Sequence, residues 1–196
     1  MNHFAHLVLA QPTVESTVGN LLGDFARGVE IHSLSPPILA GLKNHRAVDC
    51  FTDAHSRVAA LKALFSPARR RFAGIALDIY FDHLLITRWS RFDTRDVEAV
   101  IEQFYRRMTA GQSLMPGAGM RRVTQRMVEY DWFGSYRNLD DIAESLDRVA
   151  SRIRYANRFD NAIEDLLAHQ DEVEQVFFEF FPELRQHVVE LALESN

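Results

Sequence analysis

The sequence predicts an all-α protein, on three observations. Apolar residues recur at helical spacing from residue 38 onward, no segment sustains a period-2 alternation of β-branched residues, and no Asn-Gly or Asp-Gly pair marks a hairpin. Length and composition fit one globular unit. A chain of 196 residues with 47% hydrophobic side chains can bury a sizeable core, so the expectation is a single helical domain over 1–196.

Pro36-Pro37 breaks the chain and starts a helix expected over 37–52, with Ile38, Leu39, Leu42, Val48 and Phe51 as its apolar positions. A second helix is expected over 55–65, ending near Ser66-Pro67. The third, over 67–88, carries Phe72, Ile75, Leu77, Ile79, Phe81, Leu84 and Leu85 and is apolar almost all round, which assigns it to the centre of the domain. Polar groups on such a helix need partners there or a polar cavity, so Asp78, Asp82 and His83 stand out. Thr94 opens a helix over 94–109; Asp96 and Glu98 in its first turn suit the helix dipole, and Arg106-Arg107 end it. Gly111 to Gly119 is a loop. Helices over 120–132, 139–155 and 159–180 follow, and Pro182 separates a last helix reaching about 193.

Charge and cysteine usage exclude several function classes. A formal net charge of -5 argues against nonspecific binding of nucleic acid as the main activity. The single cysteine, Cys50, excludes an intramolecular disulfide and a Cys-based zinc cluster, and it fits a reducing cytoplasm. The first residues lack a basic region, and no stretch approaches the roughly 18 apolar residues of a membrane span. Gly19 to Gly23 lacks the Lys-Ser/Thr of a phosphate-binding loop, and no Gly-x-Ser-x-Gly elbow exists for a serine hydrolase.

The residues that carry chemistry crowd into the first 83 positions: His3, His6, Asp24, His45, Arg46, Asp49, Asp53, His55, Asp78, Asp82 and His83. Imidazole and carboxylate are the ligands of a divalent ion that activates water, and without cysteine the candidates are Mn²⁺, Mg²⁺, Fe²⁺ or Zn²⁺. Residues four apart share a helix face, so Asp78 and Asp82 project together, as do His45 and Asp49. Two carboxylates at that spacing call for a metal, an arginine or a proton between them, and Arg46 or Arg88 offers the structural solution. Asp24 reads equally well as a turn or cap residue, Asp53 and His55 read better as residues of a helix cap, and His32, His169 and His187 read as surface positions.

Four blocks make the sequence recognisable: Met1-Asn2-His3-Phe4-Ala5-His6-Leu7, Gly19 through Phe25, His45 through Asp53, and Leu77 through Leu85 followed by Trp89. Together they resemble the acyl carrier protein phosphodiesterase family, an atypical relative of the helical HD phosphohydrolases. The resemblance implies a divalent metal, Mn²⁺ first with Mg²⁺ or Fe²⁺ as options. It also implies hydrolysis of the phosphodiester joining 4'-phosphopantetheine to a serine of holo-acyl carrier protein. Carried over by position, the metal set is His6, Asp24, His45, Asp49, Asp78 and Asp82, with Asp24, Asp78 and Asp82 as its core. His45 or His83 would handle the proton of water, and Arg46 would face the phosphate. An acidic carrier protein calls for basic docking residues, with Arg69, Arg70 and Arg71 first and Arg106-Arg107 and Arg121-Arg122 with Arg126 as further clusters. The alternatives are an HD-like enzyme acting on a nucleotide or other small phosphoester, and a helical carrier-binding module without catalysis.

Overall fold

A computed structural model describes residues 1–154 and 158–194. Among these residues there are eleven α-helices and no strand: α1 (His3–Val8), α2 (Val14–Leu22), α3 (Pro36–Ala54), α4 (Ser56–Lys62), α5 (Ala73–Thr87), α6 (Val97–Ala110), α7 (Ala118–Glu129), α8 (Trp132–Ser135), α9 (Leu139–Arg152), α10 (Ile163–Ala168) and α11 (Gln170–Leu191). None is long and apolar enough to cross a membrane. The all-α expectation holds, and so do the positions of α3, α6 and α9 to within a few residues. The expected end of α9 at residue 155 lies outside the described residues.

Local chemistry sets most of the boundaries. Thr13 accepts from Ser16 N to start α2, Asp96 accepts from Glu98 N and Ala99 N to start α6, and Asn138 accepts from Asp140 N to start α9. The cap of α6 is thus Asp96 rather than Thr94. The central helix is shorter than its apolar run, because residues 70–72 form a 3₁₀ turn and α5 begins at Ala73. Arg70 ties that turn back by donating to Ala63 O and Phe65 O.

α1 and α2 escape sequence periodicity. α1 has six residues, too few for a pattern, and α2 buries nearly all its positions. α2 and α3 cross closely at Gly19 and Gly41, where a Cβ on Gly41 would come within 2.9 Å of Ser16 O. At the other end, α11 runs through Pro182 instead of breaking there. An interior proline costs about 3 kcal/mol. The fully buried Phe177, Phe180, Phe181 and Leu184 straddle it and contribute about 2 kcal/mol each on burial, so packing wins.

α5 lies at the centre, as its composition requires, and packs against α1, α9, α10 and α11. Phe4 of α1 inserts beside it, edge-on to Trp89, Phe104 and Phe133 with ring centroids 5.4–5.9 Å away. This anchors residues 1–6 between α3 and α5, which is what brings three separate parts of the sequence to one place.

Candidate metal centre

Three ligand-type side chains converge. His6 of α1 and His45 and Asp49 of α3 place one ligand atom each within 4.8 Å of one another, the two histidines buried and Asp49 half exposed. Asp49 Oδ1 lies 3.2 Å from His6 Nε2 and Oδ2 lies 3.0 Å from His45 Nε2, so its two oxygens face the two rings. His45 and Asp49 meet because they are one helical turn apart. The two imidazoles stack at 3.8 Å with planes 15° apart. Gly23, at the end of α2, makes room for this: a Cβ there would fall well inside 3.0 Å of Cγ, Cδ2 and Nε2 of His45.

Protonation states follow from partners. His45 Nδ1 sits 2.7 Å from Asn20 O, so it must carry the hydrogen, and a neutral His45 turns the Nε2 lone pair toward Asp49 Oδ2. Two acceptors 3.0 Å apart require a proton or a cation between them. Burial lowers the pKa of His6 to about 4, which leaves that ring neutral at physiological pH, and its Nδ1 is buried without a hydrogen-bond partner. Burial works to raise Asp49, but His45, His6 and the α-amino group of Met1 more than offset it and hold the carboxyl well below its ordinary range. Two imidazole nitrogens beside an ionised carboxylate are the donor set that a divalent ion such as Mn²⁺, Fe²⁺ or Zn²⁺ accepts, so the residues present fit such an ion.

A second layer surrounds this group. The buried Met1 ammonium lies 3.3 Å from Asp49 Oδ1 and 3.0 Å from Asp78 Oδ1, and the two carboxylates hold its pKa up against burial. Asp24, in the 3₁₀ turn after α2, has Oδ2 3.0 Å from His3 Nδ1, although the ring N–H is not aligned on that oxygen. Burial acts to raise Asp24, yet His3, His45 and His6 together bring it below its ordinary value.

The expected residues divide accordingly. Asp78 and Asp82 do share a face, but that face meets the start of α1. Asp82 is fully buried and both its oxygens are taken, accepting from Phe4 N at 2.8 Å and Ala5 N at 2.9 Å, so it caps α1 rather than offering a free ligand. Burial pushes its pKa up to about 7 against those two bonds. The partner of Asp78 is the Met1 ammonium, not Arg46 or Arg88; Arg88 pairs with Glu174. His83 points elsewhere, its Nδ1 donating to Tyr136 O at 2.7 Å. Arg46 is exposed on α3 next to His45. Asp53 pairs with Lys62, and His55 with Glu183.

The expected docking cluster is largely spent inside the fold. Arg69 donates to Arg158 O and Asp160 O and pairs with Asp165 and Glu164, Arg70 holds the turn after α4 through backbone carbonyls, and of the three only Arg71, against the Phe72 ring, makes neither a hydrogen bond nor an ion pair among the described residues. Sequence reasoning missed Met1, Asn20 and Gly23. Gly23 carried no local signal, because its need for a bare Cα comes from the His45 ring, 22 positions further on.

Comparison with known proteins supplies the relationship. The family described as "Acyl carrier protein phosphodiesterase" matches residues 1–184. Proteins named acyl carrier protein phosphodiesterase from Escherichia coli O6:H1 (strain CFT073) and E. coli K12 (strain DH10B) are each 32% identical over 197 residues, covering 98% of this chain and 100% of theirs. No solved structure matches. With the family matching from Met1 to Leu184 and relatives aligned end to end, the chain belongs to the acyl carrier protein phosphodiesterase family.

Proposed function

We propose that this protein is a metal-dependent phosphodiesterase that removes 4'-phosphopantetheine from holo-acyl carrier protein. The observation that carries the metal half of this reading is the convergence of His6, His45 and Asp49, and family membership supports the substrate half. Water adds to phosphorus, the bond from phosphorus to the serine oxygen breaks, and that oxygen takes up a proton, giving apo-carrier protein and 4'-phosphopantetheine. The reading places the enzyme with its substrate in the cytoplasm.

His6 Nε2, His45 Nε2 and Asp49 would hold the ion, Mn²⁺ first among N/O-binding metals. When bound, it supplies Lewis-acid charge to the phosphodiester and acidifies a water molecule. The protein's own groups do the rest. Asn20 O keeps His45 in the tautomer that presents Nε2, and the Met1 ammonium steadies Asp49 and Asp78. Asp24, ionised and paired with His3, accepts the proton of the attacking water. Arg46, exposed beside His45, meets the phosphate or the acidic carrier.

Intact-mass analysis of holo-acyl carrier protein, incubated with the enzyme with and without Mn²⁺, tests this reading. Metal-dependent loss of one phosphopantetheine is expected. Unchanged mass under both conditions, with turnover of a small phosphoester instead, would overturn the substrate assignment.

A further inference from the structure

Glu194 lies past the 1–184 span of the family match, yet its carboxylate enters a buried polar layer behind the metal centre. Oε1 accepts from Ser16 Oγ at 2.5 Å and from Asn20 Nδ2 at 3.1 Å, and Oε2 accepts from Gln11 N at 3.3 Å. Asn20 is fully buried, and all of its amide is committed: Nδ2 also donates to Ser16 O, while Oδ1 accepts from Asn44 Nδ2 at 3.0 Å. Asn44, 1% exposed, donates as well to Leu9 O, the residue that ends α1. The layer therefore joins the three elements around the site: α1 with His6, α2 with Asn20, and α3 with His45 and Asp49.

We propose that Glu194 is a positioning residue for His45, acting through Asn20. The bond that matters is the one from His45 Nδ1 to Asn20 O, which selects the tautomer that turns Nε2 toward Asp49. That carbonyl belongs to the last turns of α2, whose orientation the Asn20 side chain fixes. Glu194, at 3.1 Å, is the closer and charged acceptor for the Asn20 N–H that Ser16 O does not take, with Ser16 Oγ at 3.3 Å. Removing Glu194 leaves that donor only the longer contact to Ser16 Oγ at 3.3 Å, whose hydroxyl loses its own acceptor in the same change, and α2 readjusts the backbone that carries Asn20 O as these groups re-pair. Glutamine at 194 would keep one acceptor oxygen for Ser16 and Asn20 and lose only the bond from Gln11 N.

The inference rests on the proposed metal site, and two measurements on the full chain separate its failure from the failure of that site. Long-range imidazole ¹H–¹⁵N spectra of metal-free protein read the His45 tautomer. Mn²⁺ titration followed by electron paramagnetic resonance reads affinity. In the parent, His45 is expected as the Nδ1–H form. In Glu194→Ala it becomes a mixture, and Mn²⁺ binds about tenfold more weakly, at the low end for a ligand's supporting contacts. Glu194→Gln restores the parental tautomer and most of the affinity, which a tail needed only for stability would not require. A parental tautomer and affinity in Glu194→Ala overturns the inference. If instead His45→Ala leaves Mn²⁺ binding intact, the metal-site reading fails, and the tautomer spectra still decide the role of Glu194.

Discussion

Replacing Gly23 with alanine perturbs the candidate site while leaving the backbone at ease. Gly23 sits at φ -50 and ψ -44, ordinary right-handed helix, so a side chain costs nothing locally and adds up to about 1 kcal/mol of helix propensity. The new Cβ, however, falls inside 3.0 Å of three atoms of the His45 ring. The ring must retreat by about 1 Å, against a tolerance of about 0.2 Å for metal ligands. That movement also breaks the 2.7 Å bond to Asn20 O and disturbs the stack on His6. We expect Mn²⁺ affinity to fall by about 100-fold, turnover of holo-acyl carrier protein to fall with it, and fold stability to drop by about 1–3 kcal/mol from overpacking. Calorimetric titration with Mn²⁺, phosphopantetheine release and thermal melting measure the three quantities. A Gly23→Ala protein with parental affinity and turnover would refute the placement of His45 in the centre.

Further outcomes follow from individual contacts. Asp82→Ala should lower stability by about 3 kcal/mol in urea unfolding, because two buried N–H groups of α1 lose their acceptor, and Asp82→Asn should cost less; equal stability of Asp82→Ala and parent would exclude the capping role. His6 is neutral in the fold down to about pH 4, whereas the unfolded chain protonates near 6.5. Acidification across that window therefore favours unfolding, by up to about 3 kcal/mol. His3 opposes this: Asp24 raises its folded pKa against burial, so its contribution is full in acid and lost as pH rises through the folded value. The acid sensitivity should shrink in His6→Gln, and an unchanged pH slope in urea unfolding would contradict the assignment. Arg69→Glu should lower the melting temperature through lost ties to Asp165, Arg158 O and Asp160 O, while the salt dependence of turnover stays as in the parent; the reverse pattern would restore Arg69 as a docking residue.

Class and central helix were legible because they rest on periodicity, which depends only on neighbours a few residues apart. α1 was not, since its stability comes from Asp82, 78 positions from Phe4, and from the burial of Phe4 in an aromatic cluster. Pro182 misled for the same reason: local preference predicts a break, and tertiary burial of four large side chains overrides it. In the site, His6, His45 and Asp49 stood among the candidates, yet the weight fell on Asp24, Asp78 and Asp82. A carboxylate on an apolar helix must be neutralised, but sequence does not say by what. A helix N-terminus and a chain-terminal ammonium serve Asp82 and Asp78 as well as an ion would. The i,i+4 spacing of His45 and Asp49 is the local clue to the cluster the fold assembles, because both side chains then come from one rigid turn.

The most direct test measures bound Mn²⁺ and phosphopantetheine release in the same samples, for the parent and for Asp49→Ala, starting from chelator-stripped protein. The parent should gain turnover in step with ion bound, and Asp49→Ala should lose both while remaining folded by circular dichroism. Full turnover by stripped parent enzyme, or parental binding and turnover in Asp49→Ala, would contradict a metal centre built on His6, His45 and Asp49.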